Sequence, residues 1–373
     1  LGVALAGSIE EDAKICAQIA RQESAREETT VIGQGFKTSA LNAALANGTA
    51  AHALDFDHSF TIMGQPTAPI IPAIFALGES LGASGRQLIE AYVAGYEVTG
   101  KLAHSLRDSA HDGWHAPSTL GSFGAAAACA KLLGLNASQV EMALGMSASM
   151  ASGIVANFGT MTKPLHVGLG ARNGVLAAKL AQGGYTANGK AIESGFGFYQ
   201  VLHEGTMIHE QPIAELGQSY ALAIEGIRIK PYPCGGLTHQ VIDAVLEFRT
   251  KHGLTAEMIE SVDVDVVKHT FERIVFRVPQ TGIQGKFCMP YLVARALSQR
   301  VGRLEQAARK VAAGDFSNPI RADSDDELGQ LAAAFDDMQN QLARLDRARK
   351  QFIASASHEL RTPIFSLGGF LEL

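Results

Sequence analysis

The sequence predicts a mainly α protein in which an all-helical main domain over residues 1–225 is followed by a smaller α/β segment over 226–297 and by coiled-coil helices from 299 onward. Three observations carry that expectation. Ser84 with Gln87 and Asn136 with Gln139 have the spacing of capping boxes, and each opens an apolar run of helical period, Leu88 to Leu106 and Val140 to Ser152. From Ile227 the texture changes: Pro231 and Pro233 interrupt any helix, and Ser261-Val-Asp-Val-Asp-Val-Val alternates as a half-buried strand does. From Val301 it changes again, because Leu328, Leu331, Phe335, Met338, Leu342 and Leu345 recur at threes and fours, the seam of paired helices and of a parallel homodimer.

The elements follow in order. Up to about Glu225 the helices are rich in Ala and Gly, which lets them approach closely, and Gly134 stands where a helix-terminating glycine would. Gln240 to His252 reads as helix. Val301, Leu304, Ala308 and Val311 form a shorter apolar stripe, followed by Gly314-Asp-Phe and by Asp326-Glu327, whose charges favour the N-terminus of the next helix. Phe352 lies one heptad beyond Leu345.

Composition removes several functional classes. A net charge of −6 and a pI near 6.1 give no basic excess for neutralising phosphates, so nucleic acid is not an expected partner and small metabolites are. Cys16, Cys129, Cys234 and Cys288 form no CxxC pair, which predicts free thiols in a reducing compartment. The opening residues lack the charged region of a signal peptide, and the most apolar window, Thr67 to Ala83, is cut by Pro69, Pro72, Glu79 and Gly82. A cytoplasmic chain without a transmembrane segment is expected.

Polar residues recur beside Gly and Pro turns, where rigid loops hold functional side chains. The segments are His52-Ala-Leu-Asp-Phe-Asp-His-Ser, Gly64-Gln-Pro-Thr-Ala-Pro, Trp114-His-Ala-Pro-Ser, Gly159-Thr-Met-Thr-Lys-Pro-Leu-His and Lys230-Pro-Tyr-Pro-Cys-Gly-Gly-Leu-Thr-His. Lys163 has little packing value in a Gly/Thr loop and is therefore read as functional. His52, His104 and His166 are read as structural, and Asp55 and Asp57 also suit a helix cap. Asp55-x-Asp57-His58 imitates metal ligands, yet no His or carboxylate pair at i, i+4 completes a site, so neither metal nor cofactor is expected. Gly168-Leu-Gly-Ala-Arg-Asn-Gly lacks the spacing and the preceding strand of a dinucleotide fingerprint.

Taken together and in this order, these segments resemble the MmgE/PrpD family, which includes 2-methylcitrate dehydratase and cis-aconitate decarboxylase, over about Leu1 to Leu297. The resemblance implies a metal-free lyase with a helical main domain and a lid, the substrate being a small di- or tricarboxylate. It further implies His115 for proton transfer, Lys163 for carboxylate binding, Asp55 for orienting a neighbour, and Tyr291 as a lid tyrosine. Ser59 stands where a Thr is common. Gln65 stands where characterised members put a His, and an amide does not transfer protons at neutral pH. Cys234-Gly235-Gly236 replaces a His-bearing lid segment, leaving His239 nearest. The reaction is accordingly expected to differ from both namesakes, and the family pattern implies a body cut short at both ends.

Phe352-Ile-Ala-Ser-Ala-Ser-His-Glu-Leu-Arg-Thr-Pro-Ile resembles the phospho-acceptor (HisKA) box of sensor histidine kinases, and the preceding stripe, connector, acidic pair and second stripe resemble a HAMP module. The resemblance divides the tail into a HAMP-like part at 299–350 and the start of a dimerisation helix at 351–373. It implies that His358 is the nucleophile for phosphate and that Glu359 acts as base or orienting group. Without an ATP-binding domain such a chain would take phosphate only from another kinase, with a kinase or response regulator as partner. The tail's family is usually membrane-associated. A chimera joined near Ala296 to Arg300 is the expectation.

Overall fold

In the computed structural model, the residues described are 1–60, 62–107, 113–202, 207–254, 258–297, 310–311, 315, 332–348 and 350–351. The chain divides into two compact units, Leu1–Leu297 and Ser298–Leu373. The first holds helices α1 (Gly2–Gly7), α2 (Glu11–Gln22), α3 (Ala40–Ala53), α4 (Thr67–Leu81), α5 (Gly85–Ser105), α6 (Ala116–Leu132), α7 (Ala137–Met150) and α8 (Thr162–Gln182), then α9 (His239–His252) and α10 (Met289–Leu297). Shorter helical turns lie between them. The mainly α class holds. One antiparallel hairpin, β1 (Thr29–Val31) with β2 (Phe36–Thr38), interrupts the helices, Thr29 standing opposite Thr38.

Burial explains the layering. Every residue of α6 from Ala116 to Ala130 is buried, which makes it the central helix, and it packs between α5 and α8. Both expected capping boxes form: Gln87 and Gln139 each donate a backbone N–H to the cap side chain and return a side-chain acceptor. Gly134 adopts φ 64° and Leu135 N–H donates to the Ala130 carbonyl, so the α6 terminus closes as the glycine predicts.

Helices α3 and α8 make the most extensive contact in the unit. Small residues allow it: a Cβ on Gly48 would meet the Gly168 Cα at 2.7 Å, and one on Gly168 would meet the Leu45 carbonyl oxygen at 2.5 Å. Each helix carries site residues within about a turn of that crossing, so its closeness decides which polar side chains meet.

The segment after Ile227 departs from expectation. Helix α9 forms where the period places it, but residues 261–267 join no sheet and stay exposed, Val264 at 36% and Val267 at 71%. Alternation marks two faces without supplying a partner strand, and among the described residues none lies beside it. This part is nonetheless joined to the main helices, since Ser59 and Arg228 exchange backbone hydrogen bonds at 2.7 and 3.1 Å.

In the second unit, residues 332–348 are helical. Ala332, Phe335 and Gln339 are buried, Met338 is half-buried, and Leu342 and Leu345 of the expected seam are exposed. Val301, Leu304, Ala308, Leu328, Leu331, Phe352, His358 and Glu359 lie outside the described residues. Among the described residues, no helix is long and apolar enough to cross a membrane.

Replacing Gly48 with Val should cost about 1–3 kcal/mol of unfolding free energy by overpacking the α3/α8 crossing. Ser84→Ala, which only removes an exposed cap, should cost ~1 kcal/mol. Denaturant melts of the two variants check the contrast.

Candidate functional site

Three helix ends converge on one buried cluster. His52 occupies the last turn of α3, Lys163 and His166 the first turns of α8, and His115 the residue before α6. Just past α3 the chain turns through Asp55, a non-glycine residue in left-handed conformation at φ 51°, which an aspartate adopts more readily than most. That turn sends Asp57 back toward α3, where both its oxygens lie 3.0 Å from His52 Nδ1.

The cluster forms a continuous chain of polar contacts. Asp57 fixes the proton on Nδ1 of a neutral His52, so Nε2 accepts from Lys163 Nζ at 2.6 Å. Lys163 also donates to Asp55 Oδ1 at 3.2 Å, and Lys230 donates to the same oxygen at 2.8 Å. Lys230 further donates to the carbonyls of Asp55 and Cys234, at 3.0 and 3.2 Å. The other Asp55 oxygen, Oδ2, is buried without a hydrogen-bond partner.

Burial sets the protonation states. It opposes the charge on Asp55, but Lys163 and Lys230 outweigh it and hold that carboxyl well below the usual range. Burial likewise opposes the charge of Lys230, yet Asp55 and Asp57 raise its proton affinity above the ordinary value. Lys163 goes the other way: burial lowers its affinity, Asp55 restores part, and Lys230 lowers it again. His115 is pushed well below its usual value by burial and then by Lys163, and His166 is held at about 4 by burial, Lys163 and His52. The two rings touch through their Nδ1 atoms at 3.3 Å, one donating to the other.

This cluster forms one wall of a cavity of about 420 Å³. Asp55, His115 and Lys163 line it together with Ser59, Gln65 and His239, so six of the expected site residues meet in one place. Tyr291 does not line it; its ring packs against Gly285. Three cations, Lys163, Arg228 and Arg273, face Asp55 as the single acid in the lining. Phe158 and Phe287 pack together on one side of the Lys163 nitrogen, with ring centroids 5.4 and 5.3 Å from it and 5.4 Å from each other.

The structure adds Lys230, His52 and His166 to the cluster and Arg228, Arg273 and His269 to the cavity lining; the sequence singled out none of them as site residues and read His52 and His166 as structural. One signal was available: the chain's two Lys-Pro steps, Lys163-Pro164 and Lys230-Pro231, carry both cluster lysines. His104 behaves as expected, pairing with Glu225 away from the cavity. His52, Asp55 and Asp57 bring donor atoms within 4.8 Å of one another, the spacing of a metal site. The ammonium groups of Lys163 and Lys230 already occupy the His52 and Asp55 donors, so this set fits two lysines better than an ion.

The first unit thus joins a helical fold to a buried acid–lysine–histidine cluster beside a cavity lined by Lys163, Arg228 and Arg273. The MmgE/PrpD N-terminal domain matches residues 1–211, more than half of the chain, and the chain belongs to the MmgE/PrpD family. It is 34% identical to human cis-aconitate decarboxylase over 289 residues, covering 75% of this chain and 58% of that protein. The Aspergillus terreus (strain NIH 2624 / FGSC A1156) cis-aconitate decarboxylase is 30% identical, covering 65% and 52%. The chain thus spans just over half the length of these relatives. A HAMP domain matches residues 292–344. Over 82 residues the chain is 44% identical to the signal transduction histidine-protein kinase BaeS of Escherichia coli (strain K12), which covers 22% of this chain and 18% of that protein.

Two outcomes are expected. Asp55→Ala, which leaves two buried ammonium groups without their anion, should cost roughly 3–5 kcal/mol of stability in a denaturant melt. The second concerns pH. His58 and His166 both titrate at about 4 in the folded chain, against about 6.5 unfolded, so the unfolded chain binds more protons between those values. Stability is fully present above pH ~6.5 and falls as pH drops toward ~4. Thermal melts across that window should show a falling Tm, with a shallower fall in His166→Gln.

Proposed function

We propose that residues 1–297 act as a lyase on a small di- or tricarboxylate, breaking a carbon–carbon or carbon–oxygen bond without a resident metal. The observation that carries this is the charge of the cavity, three cations against one acid, beside histidines kept neutral by burial. Identity with cis-aconitate decarboxylases supports the substrate class.

The residues divide the work. Lys163, buried at the cavity wall, neutralises a substrate carboxylate together with Arg228 and Arg273, and a preorganised cation withdrawn from water holds it more firmly than a water-exposed one would. His115, neutral at working pH and set by His166, takes or returns a proton at the carbon beside a carboxylate. Asp55 stays ionised and orients Lys163, while Ser59, Gln65 and His239 contact the substrate. Gln65 donates and accepts hydrogen bonds but moves no proton. Tyr291, packed on Gly285, has no assigned part.

Calorimetry with cis-aconitate checks the reading. Binding is expected in the wild-type chain, and Lys163→Ala should weaken it roughly 10- to 100-fold, the loss of one charge-assisted contact. Unchanged affinity in that variant would contradict the assignment. Release of carbon dioxide, or its absence, then distinguishes decarboxylation from elimination of water.

A second reading concerns the tail. The HAMP match and the likeness to BaeS support a dimeric signalling fragment, and Leu342 and Leu345 expose the seam along which a second copy would pair. In this reading His358 accepts a phosphoryl group from a kinase core on another chain, with Glu359 beside it, and passes it to a response regulator. Incubation with ATP and an added histidine kinase core should give an acid-labile phosphate that His358→Gln abolishes; no labelling of the wild-type chain would remove the reading.

A further inference from the structure

The Lys163 amine sits in a setting that anchoring a carboxylate does not require. Its nitrogen is tied to two acceptors, His52 Nε2 at 2.6 Å and Asp55 Oδ1 at 3.2 Å. With the bond to its own side chain, these take three of the four tetrahedral directions. The residue is 4% exposed and lines the cavity, so the fourth direction is the one left for a ligand. As an ammonium, the nitrogen would place its third N–H there. As an amine donating its two N–H bonds to His52 and Asp55, it places its lone pair there.

The two states exchange: the ammonium meets a carboxylate, as in the reading above, and the surroundings ease loss of its proton when a carbonyl compound enters. Asp55 gives its shorter contact, 2.8 Å, and its main-chain carbonyl to Lys230, which is fully enclosed and absent from the cavity lining. One carboxylate thus serves two lysines, and the better-served one is not the one that faces the cavity. Paired groups driven apart in this way divide their roles, Lys163 giving up its proton more readily than Lys230. A lysine desolvated beside two aromatic rings and next to a second cation has the environment that activates amines as nucleophiles.

We propose that Lys163 captures carbonyl compounds, forming a Schiff base with the 2-oxo group of a small oxo-acid whose carboxylates are held by Arg228 and Arg273. This rests on the polycarboxylate reading of the cavity and adds a nucleophile to it. The nitrogen lone pair forms the C–N bond as the carbonyl π pair moves to oxygen. His52 Nε2, kept as an acceptor by Asp57, takes a proton from the nitrogen. That proton and one from solvent go to the oxygen, which leaves as water while the remaining nitrogen pair closes the C=N bond. The balance is amine, carbonyl and one proton giving protonated imine and water. Where a second carboxylate sits on the carbon next to the imine carbon, the C–C pair can flow into the iminium nitrogen and release carbon dioxide, leaving an enamine.

The test is reductive trapping of the full chain with oxaloacetate or pyruvate and sodium cyanoborohydride, followed by peptide mass mapping. Hydride converts the imine to a stable secondary amine. The expected result is an adduct on Lys163 well above that on exposed lysines such as Lys14, lost in Lys163→Arg, suppressed by competing tricarballylate, and increasing with pH. In Lys230→Met the full Asp55 charge falls on Lys163 and holds its proton, so trapping should fall roughly tenfold for each tenfold loss of free amine. No adduct on Lys163, or one no greater than on Lys14, overturns the proposal. If calorimetry still shows polycarboxylate binding in that case, the lyase reading stands and only the nucleophile falls. Trapping without polycarboxylate binding would do the reverse.

Discussion

The buried carboxylate of Asp55 is the contact on which the first unit depends. Removing a charge from water costs several kcal/mol even after relaxation, and only close, well-directed partners offset it. Asp55 meets that demand with Lys163 from α8 and Lys230 from the segment after Ile227, so one anion fastens the end of α3 to two other parts of the chain. Its left-handed backbone adds strain that the surrounding structure must hold. The same arrangement leaves Oδ2 buried without a hydrogen-bond partner. A site residue and a structural tie are here one side chain.

Close packing makes this possible. The crossing of α3 and α8 at Gly48 and Gly168 brings His52 and Lys163 into contact across more than a hundred residues of sequence. Asp57 then settles the His52 tautomer, and the tautomer settles which way Lys163 can donate. Each step is local, but the protonation state of Lys163 reflects all of them together with Lys230.

Much of the helical framework was legible because its signals are local. Ser84, Asn136 and Gly134 act within one turn, and the structure honours each. The site was legible as a set of loops, and Asp55, Ser59, Gln65, His115, Lys163 and His239 do share a cavity. What remained hidden was pairing at long range. Nothing near His52 shows that its Nε2 will meet Lys163, and nothing near Lys230 shows that it will donate to a carboxylate 175 positions away. Residues 261–267 show the converse: a strand's alternation is local, its ladder is not, and no partner lies beside it among the described residues. The tail was legible for the same reason: its apolar stripes, connector and acidic pair are local signals, and a HAMP domain matches residues 292–344.

The most direct test of this account is a crystal structure of the chain with tricarballylate, an unreactive tricarboxylate. The account predicts the ligand in the cavity, with one carboxylate within hydrogen-bond distance of Lys163 Nζ and another facing Arg228 or Arg273. A cavity holding only solvent at saturating ligand, or tricarballylate bound elsewhere with Lys163 and Asp55 untouched, would contradict it.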